Sequence, residues 1–258
     1  MKRLVIVVLA SILSMTVFAE GYQVNLLSTK QTGMGHVGTG MKLGAESMHF
    51  NPAGLVFLRT NMDFSLGISA IMAKAKYSYD GYSAKTDNPV GTPLYAYAGF
   101  KIYDNLAAGI SLTTPYGNSL KWPKNWAGAG LIQDISLKSY VIQPTLSYKI
   151  TDRLSVGVGL QLAWGNVNLS RALMGAKDFQ GIGEKFESLL PLLAGVPSNV
   201  IPDADKQAMQ EMVALMKGTT VPPAYARLEG NAHMKVGINV GIMYDVCDKV
   251  TIGLSYRS

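Results

Sequence analysis

From Met62 onward the sequence alternates apolar with small or polar residues at a period of two, and nothing else in the chain constrains its fold as much. In the first such segment Met62, Phe64, Leu66, Ile68 and Ala70 share one face, with Asp63, Ser65, Gly67 and Ser69 on the other. A second segment groups Leu94, Ala96, Ala98, Phe100 and Ile102, and a third Leu106, Ala108, Ile110 and Leu112. The fourth sets Tyr140, Ile142, Pro144, Leu146, Tyr148 and Ile150 against Gln143, Thr145, Ser147 and Lys149. The fifth carries Leu154, Val156, Val158, Leu160, Leu162 and Trp164. The sixth carries Val236, Ile238, Val240, Ile242, Tyr244 and Val246, and the seventh Val250, Ile252, Leu254 and Tyr256. Successive side chains of a strand point to opposite faces, so each segment predicts a strand with one apolar face. Segments of about ten residues with this dyad are the signature of a membrane β-barrel, apolar side to lipid and small or polar side inward. Periodicity alone also admits a secreted β-sandwich.

The connections separate the two. Segments two and three, four and five, and six and seven are joined by tight turns of one pattern, Asp-x-Leu/Val-x-apolar-Gly, at Asp104 to Gly109, Asp152 to Gly157 and Asp248 to Gly253. Such self-similarity points to a repeated hairpin unit. The other connections are long, at about residues 75–92, 115–135 and 173–227. Short turns on one side and long loops on the other are outer-membrane barrel topology. Export is provided for: Lys2 and Arg3, the apolar run Leu4 to Leu13 and the cleavage pattern Val17-Phe18-Ala19 read as a signal peptide. After it no run of about 18 apolar residues predicts a transmembrane helix. Charged residues make up only 16% of the chain, which fits an outside that meets lipid. Once Lys2 and Arg3 leave with the leader the net charge of +6 falls to about +4, too small and scattered to hold nucleic acid. The single Cys247 excludes an intrachain disulfide.

Between leader and strands lies Gly33 to Gly54, GMGHVGTGMKLGAESMHFNPAG. It is rich in glycine, has no period and offers no apolar face, so it packs only where something surrounds it. A barrel lumen would do so, and the stretch reads as a plug. Gly33 to Gly38 match G-x-G-x-x-G, but no apolar strand precedes them and no amphipathic helix follows, so the dinucleotide reading fails. His36, His49 and His233 lack metal-ligand spacing, and no G-x-S-x-G elbow is present. No catalytic residue, metal or cofactor is nominated. Trp122-Pro123-Lys124-Asn125-Trp126 suits either the membrane interface or simple loop packing. In the longest loop Phe186, Leu189, Leu190 and Leu193 follow a helical stripe that Pro191 should kink or end. A second helical run, Asp203 to Lys217, aligns Met209, Met212, Val213 and Met216, with Asp203 or Asp205 as its cap and Gly218 after its end. Two readings stay open here, stripes packed on each other and a Met- and Leu-lined groove for an apolar ligand. Pro115 and Gly117 break the hydrogen-bond ladder just after the third strand, and in a barrel wall such a break is a sideways opening.

Taken together these residues resemble the FadL/TodX family of outer-membrane channels for long-chain fatty acids and hydrocarbons. The likeness runs through Gly21-Tyr22-Gln23-Val24-Asn25, the glycine-rich plug with Asn51-Pro52-Ala53, Thr114-Pro115-Tyr116-Gly117, the helical loop, Tyr244-Asp245 and Tyr256-Arg257-Ser258. It implies an all-β fold, a transmembrane antiparallel β-barrel of about fourteen strands of which seven are present. The chain would divide into a signal peptide at 1–19, an N-terminal plug or hatch at 20–59, and a partial barrel at 60–258 with a helical outer loop at 173–226. The implied activity is passive uptake, with no enzyme chemistry and no cofactor. A long-chain fatty acid or other hydrophobic ligand lands in the groove formed by the two loop stripes, passes to a pocket inside the barrel, and leaves sideways into outer-membrane lipid once the hatch moves. Asn51, Pro52 and Ala53 would form the hatch tip facing the kink, and Thr114, Pro115, Tyr116 and Gly117 would border the gap. Arg171, at the end of the fifth strand, is the candidate contact for the ligand carboxylate. The full-length protein would work as a monomer. Seven strands is an odd count where bacterial barrels close with an even one, so the chain reads as the N-terminal half of a longer protein. An aromatic-hydrocarbon channel on the same scaffold and a non-transporting surface or adhesion protein are the alternatives.

Overall fold

The computed structural model describes residues 23–258; the expected signal peptide at 1–19 with its expected cleavage point, and Glu20, Gly21 and Tyr22, lie outside the described residues. The strands are β1 (Met62–Ile68), β2 (Lys76–Tyr79), β3 (Tyr82–Lys85), β4 (Leu94–Tyr103), β5 (Leu106–Thr113), β6 (Gly117–Lys121), β7 (Asp134–Lys149), β8 (Leu154–Ala172), β9 (Tyr225–Cys247) and β10 (Val250–Arg257). They form one antiparallel sheet in the order β1-β4-β5-β7-β8-β9-β10, with β6 also joined to β7, while β2 and β3 make a separate hairpin. The alternation builds the wall. Met62, Phe64, Leu66 and Ile68 are 60 to 80% exposed on the convex face, whereas Tyr95, Tyr97, Ser111, Gln143, Ser147, Ser155 and Asn239 are buried on the concave one.

Aromatic residues mark the height of the apolar belt. Tyr103, Tyr148 and Tyr244 are exposed near the tight turns. Eight residues along β7 from Tyr148, Tyr140 stacks on Trp164 of β8 across the ladder, ring centroids 6.0 Å apart. Eight strand residues span about 26 Å, or roughly 20 Å once tilted, close to the usual apolar band between two aromatic girdles. Strands β7, β8 and β9 run well past the alternating segments, to 16, 19 and 23 residues, so the wall projects beyond the upper girdle. The β7–β8 ladder skips Gln143 and Pro144, where proline has no N–H to give.

Residues 23–58 fill the concave face with α1 (Thr29–Gly33), α2 (Ser47–Phe50) and 3₁₀ turns at Gly38–Gly40, Gly44–Glu46 and Pro52–Phe57. Ser28 caps α1 by accepting from the Gln31 amide at 3.1 Å. The G-x-G-x-x-G stretch is a left-handed turn, with Gly35 at φ 73° and His36 at φ 62°. The apolar core lies between this segment and the wall, where Ala45, Met48, Leu55, Val56 and Leu58 meet Tyr95, Tyr97 and Ala107. The glycines of the repeated turn pattern now have a purpose. A Cβ at Gly109 would lie 2.6 Å from Met48 Sδ, and at Gly157 and Gly253 it would run into the backbone of Pro52–Ala53 and of Thr39. The segment also reaches both sheet edges: the Ala45 amide donates to Asp63 Oδ2 of β1 at 2.8 Å, and Thr39–Gly40 lies against Gly253 of β10.

On the loop side the β2–β3 hairpin, which the long-loop reading missed, turns at Asp80-Gly81 with φ 45° and 75°. Asp-Gly between two strand-like runs is a hairpin signal that was there to read. Trp122 and Trp126 stack at 4.1 Å and are buried with Ala84, Ala129 and Ala172, so they pack the loops rather than face the membrane interface. The longest loop folds into α3 (Ala176–Glu187), α4 (Leu190–Ala194) and α5 (Asp203–Gly218). Pro191 falls in the first turn of α4, and the first stripe breaks before it. Neither expected cap forms on α5. Asp203 lies inside its first turn, and hydrogen bonds from Lys206 and Ser198 hold its carboxyl below the usual range, while Gly218 is the helix's last residue.

Candidate functional site: a broken wall strand and the cavities behind it

The backbone of residues 48–56 forms few bonds of its own, and the polar inward residues of the wall complete it. Asn51 is fully buried. Its Nδ2 donates to the Thr39 carbonyl at 2.8 Å and the Ile242 carbonyl at 3.1 Å, and its Oδ1 caps the Pro52–Phe57 turn by accepting from the Ala53 amide at 3.1 Å. The Ala53 carbonyl accepts from Ser155 Oγ at 2.9 Å and Ser147 Oγ at 3.1 Å. The Met48 carbonyl accepts from Gln143 Nε2 at 2.6 Å and Asn239 Nδ2 at 3.0 Å. Asn51-Pro52-Ala53 therefore sits on β7, β8 and β9 and not against the kink. Gly157 and Gly241 let the backbone approach there, and the hydroxyl and amide donors needed by its carbonyls stand beside them.

The third wall strand is in two pieces, β5 and β6, both paired to β7, with Thr113 opposite Val141 and Gly117 opposite Lys138. Strand β4 follows β5 only as far as the Tyr95–Thr113 pair. Thr114 closes the lower end, its amide donating to the Leu94 carbonyl at 3.2 Å and its Oγ1 accepting from the Leu94 amide at 2.9 Å. At the upper end the Asp87 amide donates to the Lys121 carbonyl at 2.8 Å, and the Lys121 amide to Asn88 Oδ1 at 2.7 Å. Between these closures lie residues 115–120, about 20 Å of strand, with β6 laddered to β7 alone. Pro115 offers no N–H; its carbonyl accepts from the Val24 amide at 2.7 Å, and Gln23 bridges to Tyr116. The segment lying over the kink is thus Gln23–Val24.

Three cavities adjoin this break. One of about 300 Å³ occupies the window itself, lined by Val24, Ile71, Leu94, Tyr116, Lys138 and Tyr140 among others. A second, of about 380 Å³, lies inside the wall against Pro115, Tyr116, Val141, Gln161, Lys235 and Arg257. A third, of about 350 Å³, is bounded by Gln23, His36, His49, Asn239 and Arg257. Tyr116 is common to the first two, and His49 and Arg257 to the second and third. Arg257 grips the end of α2: Nη1 meets His49 Nε2 at 3.1 Å and Nη2 donates to the His49 carbonyl. Its Nε is buried with no partner. Burial, then the Arg257 guanidinium, then His36 hold the His49 imidazole well below its ordinary value of 6.5, so it is neutral.

Arg171 does not join this site. It is exposed toward the outer end of β8, opposite Ala226, and lines none of the three cavities. The cations that line the cavity inside the wall are Arg257 and Lys235, and strand parity was the signal for both, since they alternate with the outward Tyr256 and Val236. The eight stripe residues do not make one groove. Val213 and Met216 are buried in the α3–α5 seam, where Gly183 admits Met216, and Leu190, Leu193 and Met209 are half-buried. Phe186, Leu189 and Met212 are exposed. Among the described residues no group of His, Cys, Asp and Glu is arranged to hold a metal ion.

The family model described as outer membrane protein transport protein (OMPP1/FadL/TodX) matches residues 10–258. A long-chain fatty acid transport protein of Escherichia coli (strain K12) is 25% identical over 257 residues, covering 97% of this chain and 54% of the relative. One from Salmonella typhi is 24% identical, covering 97% and 53%. The chain thus spans about half the length of the curated relatives it matches. Among solved structures, a Pseudomonas aeruginosa FadL homologue superimposes with a TM-score of 0.61 at 17% identity, over 93% of this chain and 53% of that one. The P. putida toluene transporter TodX gives 0.52 at 19% identity, over 83% and 51%. At such identities these two speak for the fold alone. With the family match running through the plug segment, the broken strand and the wall alike, this chain belongs to the OMPP1/FadL/TodX family of outer-membrane transport proteins.

Proposed function

We propose that this chain forms the hatch, residues 23–58, and part of the wall of a passive channel taking long-chain fatty acids across the outer membrane. The observation that carries the reading is the wall strand broken at Thr114–Tyr116, with one cavity in the break, one behind it, and Tyr116 between them. Exposed Phe186, Leu189 and Met212 on the outer loop offer apolar surface for capture. Burying an acyl chain gains about 0.8 kcal/mol per methylene, so an apolar path needs no other energy source. Inside, Arg257 and Lys235 receive the carboxylate, and these two cations favour an acid over an uncharged aromatic hydrocarbon. A carboxylate on Arg257 competes with His49 for the guanidinium and loosens the turn just before Asn51. Gln23–Val24 must then leave Pro115 and Tyr116 for the chain to pass. The edges β1 and β10 need strand partners to lie in hydrocarbon, so the activity is that of a closed barrel.

The test is uptake of labelled oleate by cells lacking their own channel and expressing the protein at its natural length. Ser119→Trp, which fills the window cavity, should cut uptake to the level of cells without the protein while its amount in the outer membrane stays the same. Uptake at the unaltered rate would refute exit through the window.

A further inference from the structure

The window cavity has a height in the membrane and a single charge. Tyr140 and Trp164 mark the upper girdle, and Lys138 is the next outward residue on β7 above Tyr140, opposite Gly117 at the foot of β6. Apart from Lys138 every residue lining the cavity is uncharged, with Val24, Ile71, Pro93, Leu94 and Tyr116 supplying much of the wall. Lys138 is exposed and makes no ion pair among the described residues. Neighbouring Asn118, Ser119 and Ser136 leave it without a carboxylate to face. Unlike Arg171, which lines no cavity, Lys138 places its charge at the edge of an otherwise uncharged one.

The chemistry of a leaving amphiphile gives that charge a use. A carboxylate drawn sideways into hydrocarbon would be stripped of its partners at great cost. A window at girdle height avoids this, because the chain can slide into the apolar belt while the head stays in the interface. We propose that Lys138 receives the carboxylate of a long-chain acid as it passes the window, taking the head over from the interior cations and releasing it at the interface. The inference rests on the sideways-exit reading above and adds to it a headgroup station that selects anionic amphiphiles. No covalent bond is made or broken.

Lys138→Met keeps the aliphatic stem and removes the charge, and Lys138→Arg restores a charge. Both go into the natural-length protein, in cells lacking their own channel, with labelled oleate and labelled hexadecane as probes. The expected result is a loss of oleate uptake of up to about fivefold, the scale of one solvent-exposed ion pair, with hexadecane uptake unchanged and oleate uptake recovered in Lys138→Arg. Equal loss of both probes would mean only a reshaped window, and no loss of either would mean an idle lysine; each overturns the proposal. The assay is repeated in cells whose outer-leaflet lipid has had its phosphates removed. A defect that disappears there would assign Lys138 to lipid phosphate and overturn the proposal as well. If the unaltered protein moves oleate no faster than cells without it, the channel reading itself falls, an outcome distinct from the others.

Discussion

Removing one side chain, in Asn51→Ala, should free the hatch while leaving the wall intact. Asn51 gives two hydrogen bonds, to the Thr39 and Ile242 carbonyls, and takes one from the Ala53 amide, all within a site where the residue is fully buried. At about 1 kcal/mol net for each buried bond, the three together contribute about 3 kcal/mol to docking. Since 1.4 kcal/mol is tenfold, the undocked population should rise on the order of 100-fold. Hydrogen exchange followed by mass spectrometry, on the natural-length protein in lipid nanodiscs, reads this directly. The amides of residues 47–57 should exchange on the order of 100-fold faster, while those of β7 and β8 keep their protection. Two results would refute the reasoning. Unaltered exchange at 47–57 would mean the three bonds are replaced as soon as they are lost. Equal acceleration of hatch and wall would make Asn51 a general support of the fold rather than the anchor of a separable unit.

Three further outcomes can be read in the same exchange assay. Gly157→Val puts a branched side chain into the Pro52–Ala53 backbone, an overpacking worth about 1–3 kcal/mol, and should raise hatch exchange in the same assay without unfolding β8. Thr114→Val deletes the hydroxyl that accepts from the Leu94 amide, so that amide should exchange about fivefold faster, the change confined to the foot of the window. The neutral His49 makes docking depend on pH. Its value is lowered in the docked hatch and ordinary when undocked, so the favourable contribution is complete above 6.5 and is lost as pH falls below it. Hatch exchange, corrected for the intrinsic rate, should rise by up to about tenfold per pH unit below 6.5. His49→Gln should abolish that slope, and a slope surviving in the variant would assign it elsewhere.

How far the sequence could be read depended on where the deciding partner lay. The wall was legible because lipid on one face forces a strict alternation, and each residue of Met62–Ile68 reports its own side. The repeated Asp-x-Leu/Val-x-apolar-Gly turns were legible as a pattern, but their glycines face Met48, Pro52–Ala53 and Thr39, which lie 61 to 214 residues away along the chain, and no local rule reaches that far. For the same reason the seat of Asn51 was out of reach: it is fixed by Gly241 and the Ile242 carbonyl, not by anything near the kink. The methionine stripe of α5 was correctly periodic, yet periodicity cannot say whether a stripe meets a ligand or a neighbouring helix, and α3 had already covered Val213 and Met216.

The proposed carboxylate contact is different, because there the information was local and a stricter use of it leads to another residue. A wall that is apolar outside and filled by a plug inside must carry small or hydrogen-bonding residues inward, as in Ser155, Gly157, Gly159 and Gln161 on β8, Gly237, Asn239 and Gly241 on β9, and Thr251, Gly253 and Ser255 on β10. Continuing that parity by one step on β10 arrives at Arg257, and on β9 by one step the other way at Lys235. An inward cation can be absorbed by the plug, as Lys149 is over the Phe57 ring, but Arg257 and Lys235 line a cavity inside the wall. Arg171 met no such test, since its place at the end of β8 lies beyond the plug, where an exposed arginine needs no partner. In a plugged barrel the inward cation that lines a cavity, as Arg257 does here, is therefore the position to test for a carboxylate before the basic residue nearest a strand end.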